Sequence, residues 1–279
     1  MSVPLRLDAP AKLNLDLRVV GRRADGFHEL ESALVLLDLA DRLLIMPGCS
    51  GLRLQGGEGR DLPLDASNLA WRGLELGLGG PPDLACLALE KRIPVAAGLG
   101  GGSSDAAAAW RLGRAWTRRP DVAAPDELRG LASIGADVPF FAAGVAAARV
   151  SGIGEVVEPL EPISAEVVLV HPPFGLRTAD VFAELRPREW GTAANDLEAP
   201  ARRLRPELDA LFARVRAAGA EPRLTGSGPT IFALDADRER ADALANGLAT
   251  DGLRVTRTRI RTTPTRIEPI EDVSEEEDR

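Results

Sequence analysis

The stretch IPVAAGLGGGSSDAAAAW, Ile93 to Trp110, sets a glycine cluster between a β-like run and an alanine-rich run. Gly98, Gly100, Gly101 and Gly102 fall within five residues, a density that is entropically costly in any regular element. A strand, a glycine-rich turn and a helix N-terminus in succession form the general recipe for holding phosphate. The first amides of a helix lack an intrahelical partner, the helix dipole favours an anion, and successive N–H groups make a concave nest. Ser103 or Ser104 reads as the N-cap, with Asp105 in the first turn. A Walker A loop is excluded, because Gly102 is followed by Ser103-Ser104 and not by lysine. The dinucleotide fingerprint fails as well, since Ser103 stands where its third glycine is required. A flexible connector is the competing reading. The strand before the turn and the helix after it favour phosphate.

Composition bounds the rest. The 279 residues are 45% hydrophobic and 27% charged, as expected for a globular chain of one large or two medium domains. No apolar run approaches the ~18 residues of a membrane span. The opening MSVPLRLDAPAKLN has no basic segment followed by an apolar one, so a cytoplasmic protein without membrane partners is expected. Of the net charge of −8, −5 lies in RIEPIEDVSEEEDR, residues 266–279, which reads as an acidic, solvated tail. No basic patch with interleaved aromatics occurs, which argues against nucleic acid. Cys49 and Cys86 lack framework spacing and read as small buried apolar residues of a reducing compartment. Thirty-two arginines accompany only two lysines, Lys12 and Lys91. Lysines that persist against such a bias point to a task needing a compact ammonium. Lys91 is either a surface residue or a nucleotide contact ahead of the loop.

KLNLDLRVV, from Lys12, alternates like a half-buried strand, and Asp25-Gly26 marks a turn. Texture changes near 155–165. The expected units are residues 1–158, residues 159–265 and the tail, 266–279. Helices are expected at 179–185, 199–218 and 237–249, and strands at 229–234 and 253–261. The alternation lacks regular βαβ spacing, so the fold class is α/β (α+β) in two layers.

PVAAGLGGGSSDAAA (94–108) resembles the central ATP-binding motif of the GHMP kinases, relatives of galactokinase, homoserine kinase and mevalonate kinase. APAKLNLDLRV (9–19) and LTGSGPTIFAL (224–234) are similar to the first and third motifs of that superfamily. Within it the chain resembles the family that phosphorylates 4-diphosphocytidyl-2-C-methyl-D-erythritol, on the non-mevalonate route to isoprenoids. GRRADGFHELES (21–32), IGADVPFF (134–141) and NDLE (195–198) carry that narrower likeness by order and spacing. It departs at Gly152-Ile153-Gly154-Glu155, where many members have arginine second.

The resemblance implies a two-domain fold with the active site in the inter-domain cleft. It implies Lys12 and Asp137 as the catalytic pair and ATP on Pro94, Val95, Ala96, Ala97, Gly98, Leu99, Gly100, Gly101, Gly102, Ser103 and Ser104. Asn68 lies near the adenosine or simply caps a helix. Asn14 and Thr178 touch the acceptor substrate, with an N-cap as the alternative for Thr178. Phe27, where many members carry Tyr, stacks on cytosine, and His28 reads its edge. Residues 225–229, TGSGP, face the phosphates or form a plain hairpin turn. His171 reads as structural. Mg²⁺ accompanies the nucleotide, so no protein metal ligands are assigned. Another GHMP acceptor, homoserine or phosphomevalonate, is the alternative substrate. A non-catalytic nucleotide binder is the alternative class, and it has no need of Lys12 with Asp137.

Overall fold

The computed structural model describes residues 3–270, except 57, 60, 83, 84 and 251. The first half runs β1 (Leu5–Asn14), β2 (Arg18–Arg22), β3 (His28–Pro47), β4 (Gly51–Gln55), α1 (Leu69–Leu78), β5 (Ala85–Glu90), α2 (Gly101–Trp116), α3 (Pro125–Leu131), α4 (Val138–Ala142), β6 (Ala147–Gly152) and β7 (Val156–Pro159). Its mixed sheet is organised on the 20-residue β3, which pairs with β1, β2, β5 and β6. The second half runs β8 (Glu166–His171), α5 (Thr178–Glu184), α6 (Glu198–Leu204), α7 (Glu207–Ala217), β9 (Arg223–Leu224), β10 (Ile231–Asp235), α8 (Arg238–Thr250) and β11 (Arg254–Arg259). Its strands form an antiparallel sheet in the order β11-β8-β10-β9. A last strand, β12 (Glu268–Pro269), returns to the first sheet beside β1. Among the described residues no helix is long and apolar enough to cross a membrane.

β1 gives the site its frame. Pro10 pairs with Ala40 but Lys12 pairs with Leu36, so residues 37–39 of β3 stand opposite Ala11 alone. Such a bulge interrupts the ladder and re-aims the strand. Leu7 and Ala9 accordingly enter the core beneath α1 and α2. Ala11 and Leu13 instead join Val167, Leu169 and Phe232 between the two sheets. Burying each leucine, valine or phenylalanine there contributes about 1.5–3 kcal/mol. The exposed Arg259–Asp38 pair at the same joint is screened by water and adds little. Apolar burial, not the ion pair, holds the halves together.

Helices α1 and α2 meet backbone to backbone. A Cβ on Gly73 would lie 2.0 Å from the Ala106 carbonyl oxygen, and one on Gly77 2.3 Å from that of Trp110. Alanine-rich α2 supplies the smooth partner face, burying Ala106, Ala107, Ala108 and Ala109.

Several expectations need correction. The helix expected over 199–218 is two helices, because Pro206 has no N–H to donate and keeps Arg205 out of the helical region (φ −137°, ψ 82°). The strand expected from Lys12 onward breaks after Asn14, where Leu17 is drawn off to pair with residues 194–196. Cys49 and Cys86 are joined in a disulfide, with Cα atoms 5.2 Å apart, and are not separate thiols. Cys86 pairs in register with both Met46 of β3 and Gly51 of β4, and Cys49 lies in the turn between those strands. The cysteines therefore give no support to a reducing compartment. The tail starts later than residue 266, since Ile267 packs against the first core and Glu268 pairs with Arg6. Residues 271–279 lie outside the described residues.

The glycine contacts give one substitution two opposite outcomes. Gly73→Ala is expected to cost about 1–3 kcal/mol through overpacking. Gly247→Ala, on exposed α8 with nothing within 4 Å of the added carbon, is expected to gain about 0.5–1 kcal/mol from helix propensity. Urea unfolding of both variants checks the signs.

Candidate active site

A cleft of about 480 Å³ opens between the halves. Lys12, Asn14, Asn68, Pro94 through Ser103, Asp137 and Thr178 all line it. Lys12 and Asn14 share one face of β1 by the strand's period of two. Lys12 Nζ donates to Asn14 Oδ1 at 2.6 Å and lies 3.5 Å from Asp137 Oδ2. Asn14 Nδ2 donates to Ser32 Oγ at 2.8 Å. Asp137 occupies the N-cap position of α4, yet its side chain makes no capping hydrogen bond. With a side chain 34% exposed, its carboxylate is available to a ligand. The loop holding it depends on Gly154, where a Cβ would lie 2.0 Å from the Ala136 carbonyl oxygen. Ile153, at the departure noted above, also lines the cleft.

The facing wall is the glycine loop. Helix α2 begins at Gly101, with Gly100 as its N-cap at φ +72°. Ser103 and Ser104 therefore lie inside the first turns and do not cap the helix. The amides of Gly101, Gly102 and Ser103 precede the first helical bond, which Ser104 N–H makes to the Gly100 carbonyl. The glycines divide into two kinds. Gly98 and Gly100 have positive φ and pack against protein, a Cβ there lying 2.7 Å from Gly228 O and 2.9 Å from Lys12 Cγ. Gly102 is exposed and would meet only Leu69, at 3.5 Å, so it leaves space for a ligand.

Three expected residues stand elsewhere. Ser104 does not line the cleft; one step of about 100° round the helix turns it into the interior, where its hydroxyl is buried without a partner. Phe27 is 61% exposed at the β2–β3 turn and does not line the cleft. His28 also lies outside the lining, stacked on Phe182 at 5.2 Å with Trp190 edge-on at 5.7 Å. Burial, with Arg22 nearby, lowers its pKa. Thr178 is the first residue of α5, Arg177 holding the cap position, and its hydroxyl meets Ser227 Oγ at 3.0 Å. Asn68 caps α1 by accepting from Ala70 N–H, while its amide donates to the Pro63 carbonyl. Gly226 and Ser227 of TGSGP reach the cleft. His171 is buried between Thr230 and Thr256, and burial lowers its pKa to about 4.

Ser32, Phe182 and Asp105 are cleft residues that the sequence did not assign, and Lys91 lines the cleft beside them. Lys91 is neither a surface residue nor free. Its ammonium is buried between Asp41 Oδ2 and Asp105 Oδ2, the latter at 2.6 Å. Asp41 Oδ1 also accepts from the amides of Arg92 (2.6 Å) and Ile93 (2.8 Å), which fixes the chain entering the loop. Burial disfavours the Lys91 charge, but Asp105 and Asp41 outweigh it and raise its pKa. Asp105 is different. Burial pushes its carboxyl well above the ordinary carboxylate range, and its Oδ1 has no partner.

The fold and the cleft are those of a small-molecule phosphotransferase. Residues 68–145 match the N terminal domain of the GHMP kinases and residues 179–252 the GHMP kinases C terminal region. The chain belongs to the 4-diphosphocytidyl-2-C-methyl-D-erythritol kinase family. It is 38% identical to the member from Paracoccus denitrificans over 87% of this chain and 91% of that protein. The member from Pelotomaculum thermopropionicum is 40% identical, over 85% of this chain and 91% of the relative. A crystal structure of 4-(cytidine 5'-diphospho)-2C-methyl-D-erythritol kinase superposes with a TM-score of 0.75 at 36% identity, covering 91% and 98% of the two chains. Homoserine kinase from Cytophaga hutchinsonii shares the fold at a TM-score of 0.66 and 17% identity, over 96% of this chain and 98% of that one.

The two carboxylates beside Lys91 are expected to differ in what they contribute. The Asp105 carboxyl binds its proton more tightly folded than unfolded, so stability falls as pH rises above the unfolded value of 3.8 toward the raised one. Asp105→Asn removes that loss but also one ion-pair partner of Lys91, so it is expected to cost less than Asp41→Asn in urea unfolding at pH 7. Asp41→Asn breaks the pair that carries the charge and is expected to cost about 3–5 kcal/mol.

Proposed function

We propose that the chain transfers the γ-phosphoryl group of ATP to the 2-hydroxyl of 4-diphosphocytidyl-2-C-methyl-D-erythritol. The observation that carries the chemistry is the ion pair at the cleft's end. A carboxylate with no capping duty stands 3.5 Å from a buried ammonium, opposite a wall of unpaired helix amides. Phosphoryl transfer to an alcohol needs a proton acceptor, an aligned nucleophile and compensation of charge on the moving group.

Asp137 accepts the hydroxyl proton as the oxygen–phosphorus bond forms and ADP departs. Lys12, anchored on Asn14, offsets charge on the acceptor oxygen and on the phosphoryl oxygens. The amides of Gly101, Gly102 and Ser103 bind phosphate oxygens at the positive end of α2. The open face at Gly102 fits a triphosphate, and Asn68, Leu62 and Pro63 line the wall beyond it. Mg²⁺ brought in with the nucleotide would offset the charge of the phosphate oxygens. His28, with Phe182 and Trp190 around it, serves the cytosine, and Phe27 reaches it by turning inward. Thr178 and Asn14 contact the acceptor. Residues 1–158 carry the nucleotide and residues 159–265 close the cleft over the substrate.

Asp137→Asn is expected to bind ATP and acceptor as the parent does while turnover drops by about 10²–10⁴. Calorimetric titration together with an ADP-release assay measures both. Parent-like turnover removes Asp137 from the role of base. ADP release with homoserine or phosphomevalonate but not with the cytidyl substrate overturns the substrate assignment.

A further inference from the structure

The polar string behind Lys12 has a direction. Ser32 Oγ lies 2.5 Å from the carbonyl oxygen of Asp16. A carbonyl only accepts, so the single hydroxyl proton of Ser32 is committed there. Asn14, 2.8 Å away on the other side, can then meet Ser32 only with its NH₂ end. Its Oδ1 is thereby turned toward Lys12 Nζ at 2.6 Å, and the lysine must be the donor. Lys12, Asn14 and Ser32 are only 4%, 5% and 5% exposed, which leaves little water to offer another arrangement. The start of the string is also pinned. The Asp16 carboxylate accepts from Ala33 N–H at 2.5 Å and takes both its oxygens to Arg149, at 2.8 and 2.9 Å.

We infer that Ser32 is a positioning residue for the phosphoryl transfer: its hydroxyl fixes the Asn14 amide as an acceptor and so sets the direction of the Lys12 ammonium. The inference rests on the proposed role of Lys12 at the acceptor oxygen. One Lys12 N–H is spent on Asn14, and a second faces Asp137. The third is left for an oxygen of the reacting groups. Without the Ser32 hydroxyl the amide is free to turn and present NH₂ to the ammonium, donor against donor. The backbone of Ser32 stays in the β3–β6 ladder opposite Val150, so removing one oxygen leaves the pairing intact.

Ser32→Ala and Ser32→Thr, compared with the parent and with Lys12→Met, test the inference. Ser32→Ala is expected to lower kcat about 10–100-fold, with both KM values within about twofold of the parent. Ser32→Thr, which keeps a hydroxyl, is expected to recover most of the rate. The chain has two lysines, so ¹⁵Nζ-lysine labelling gives two side-chain signals, and Lys12→Met assigns them. The Lys12 signal should move in Ser32→Ala, return in Ser32→Thr, and leave Lys91 in place.

Three results overturn the inference: parent-like kcat with an unmoved Lys12 signal in Ser32→Ala; a rise in acceptor KM alone, which makes Ser32 a direct binding residue; or equal impairment of Ser32→Thr and Ser32→Ala. Should Ser32→Ala not fold, Ser32→Cys, with its weak thiol donor, is read on the same scale. Full turnover by Lys12→Met instead removes the role given to Lys12, and the lysine signals still decide the orientation.

Discussion

The amide of Lys12 donates to the carbonyl of Leu99 at 2.9 Å, and the geometry of the cleft follows from that bond. It exists because β3 carries surplus residues opposite Ala11, which releases the next amide of β1 from the ladder. A backbone bond between a strand and the glycine loop fixes the separation of the two walls without relying on any side-chain rotamer. The lysine side chain then lies against Gly100, and Gly226 closes in from the second half, where a Cβ would lie 3.2 Å from Nζ and 3.1 Å from Asn14 Oδ1. Two glycine-bearing turns therefore converge on one ammonium. The absence of Cβ atoms serves this convergence at least as much as it serves phosphate.

The same site depends on how residues 195–198 clasp the two halves. Asp196 accepts from the amides of Val19, Gly191, Thr192 and Ala193. Asn195 spends both amide protons on the carbonyls of Leu224 and Gly226. Thr225, in that turn, accepts from the Asn14 amide through its hydroxyl. Segments more than two hundred residues apart are thus tied through backbone groups, and this wall of the cleft is built where they meet. Buried polar groups that are fully paired specify one arrangement, since any other leaves donors unmet.

What was legible in the sequence was local. Glycines before an alanine-rich run announced the loop and helix, because capping and propensity act over a few residues. Where the helix starts was less legible. Gly100 takes the cap position, and this small shift decides that Ser103 faces the cleft and Ser104 the core. Pro206 is a readable break inside the helix expected over 199–218. Lys91 lies beyond local reading, since its burial comes from Asp41 on one strand and Asp105 on a distant helix. The Cys49–Cys86 pairing likewise depends on the register of β3, β4 and β5. Ser32 gave no signal, being one polar residue at the start of a buried run of β3. Its importance appears only once the Asp16 carbonyl and the Asn14 amide stand on either side of it.

Both lysines of the chain are enclosed, one in the cleft wall and one beneath the loop. Every other basic side chain is an arginine or one of two histidines. Lys91 is bound between two carboxylates, whereas Lys12 pairs with Asn14 and Asp137, and both line the cleft. Amine-directed acylating reagents therefore find no lysine on the outer surface. An electrophile carried into the cleft on a nucleotide meets these two lysines as the side-chain amines there, and lysine labelling of this protein becomes active-site labelling.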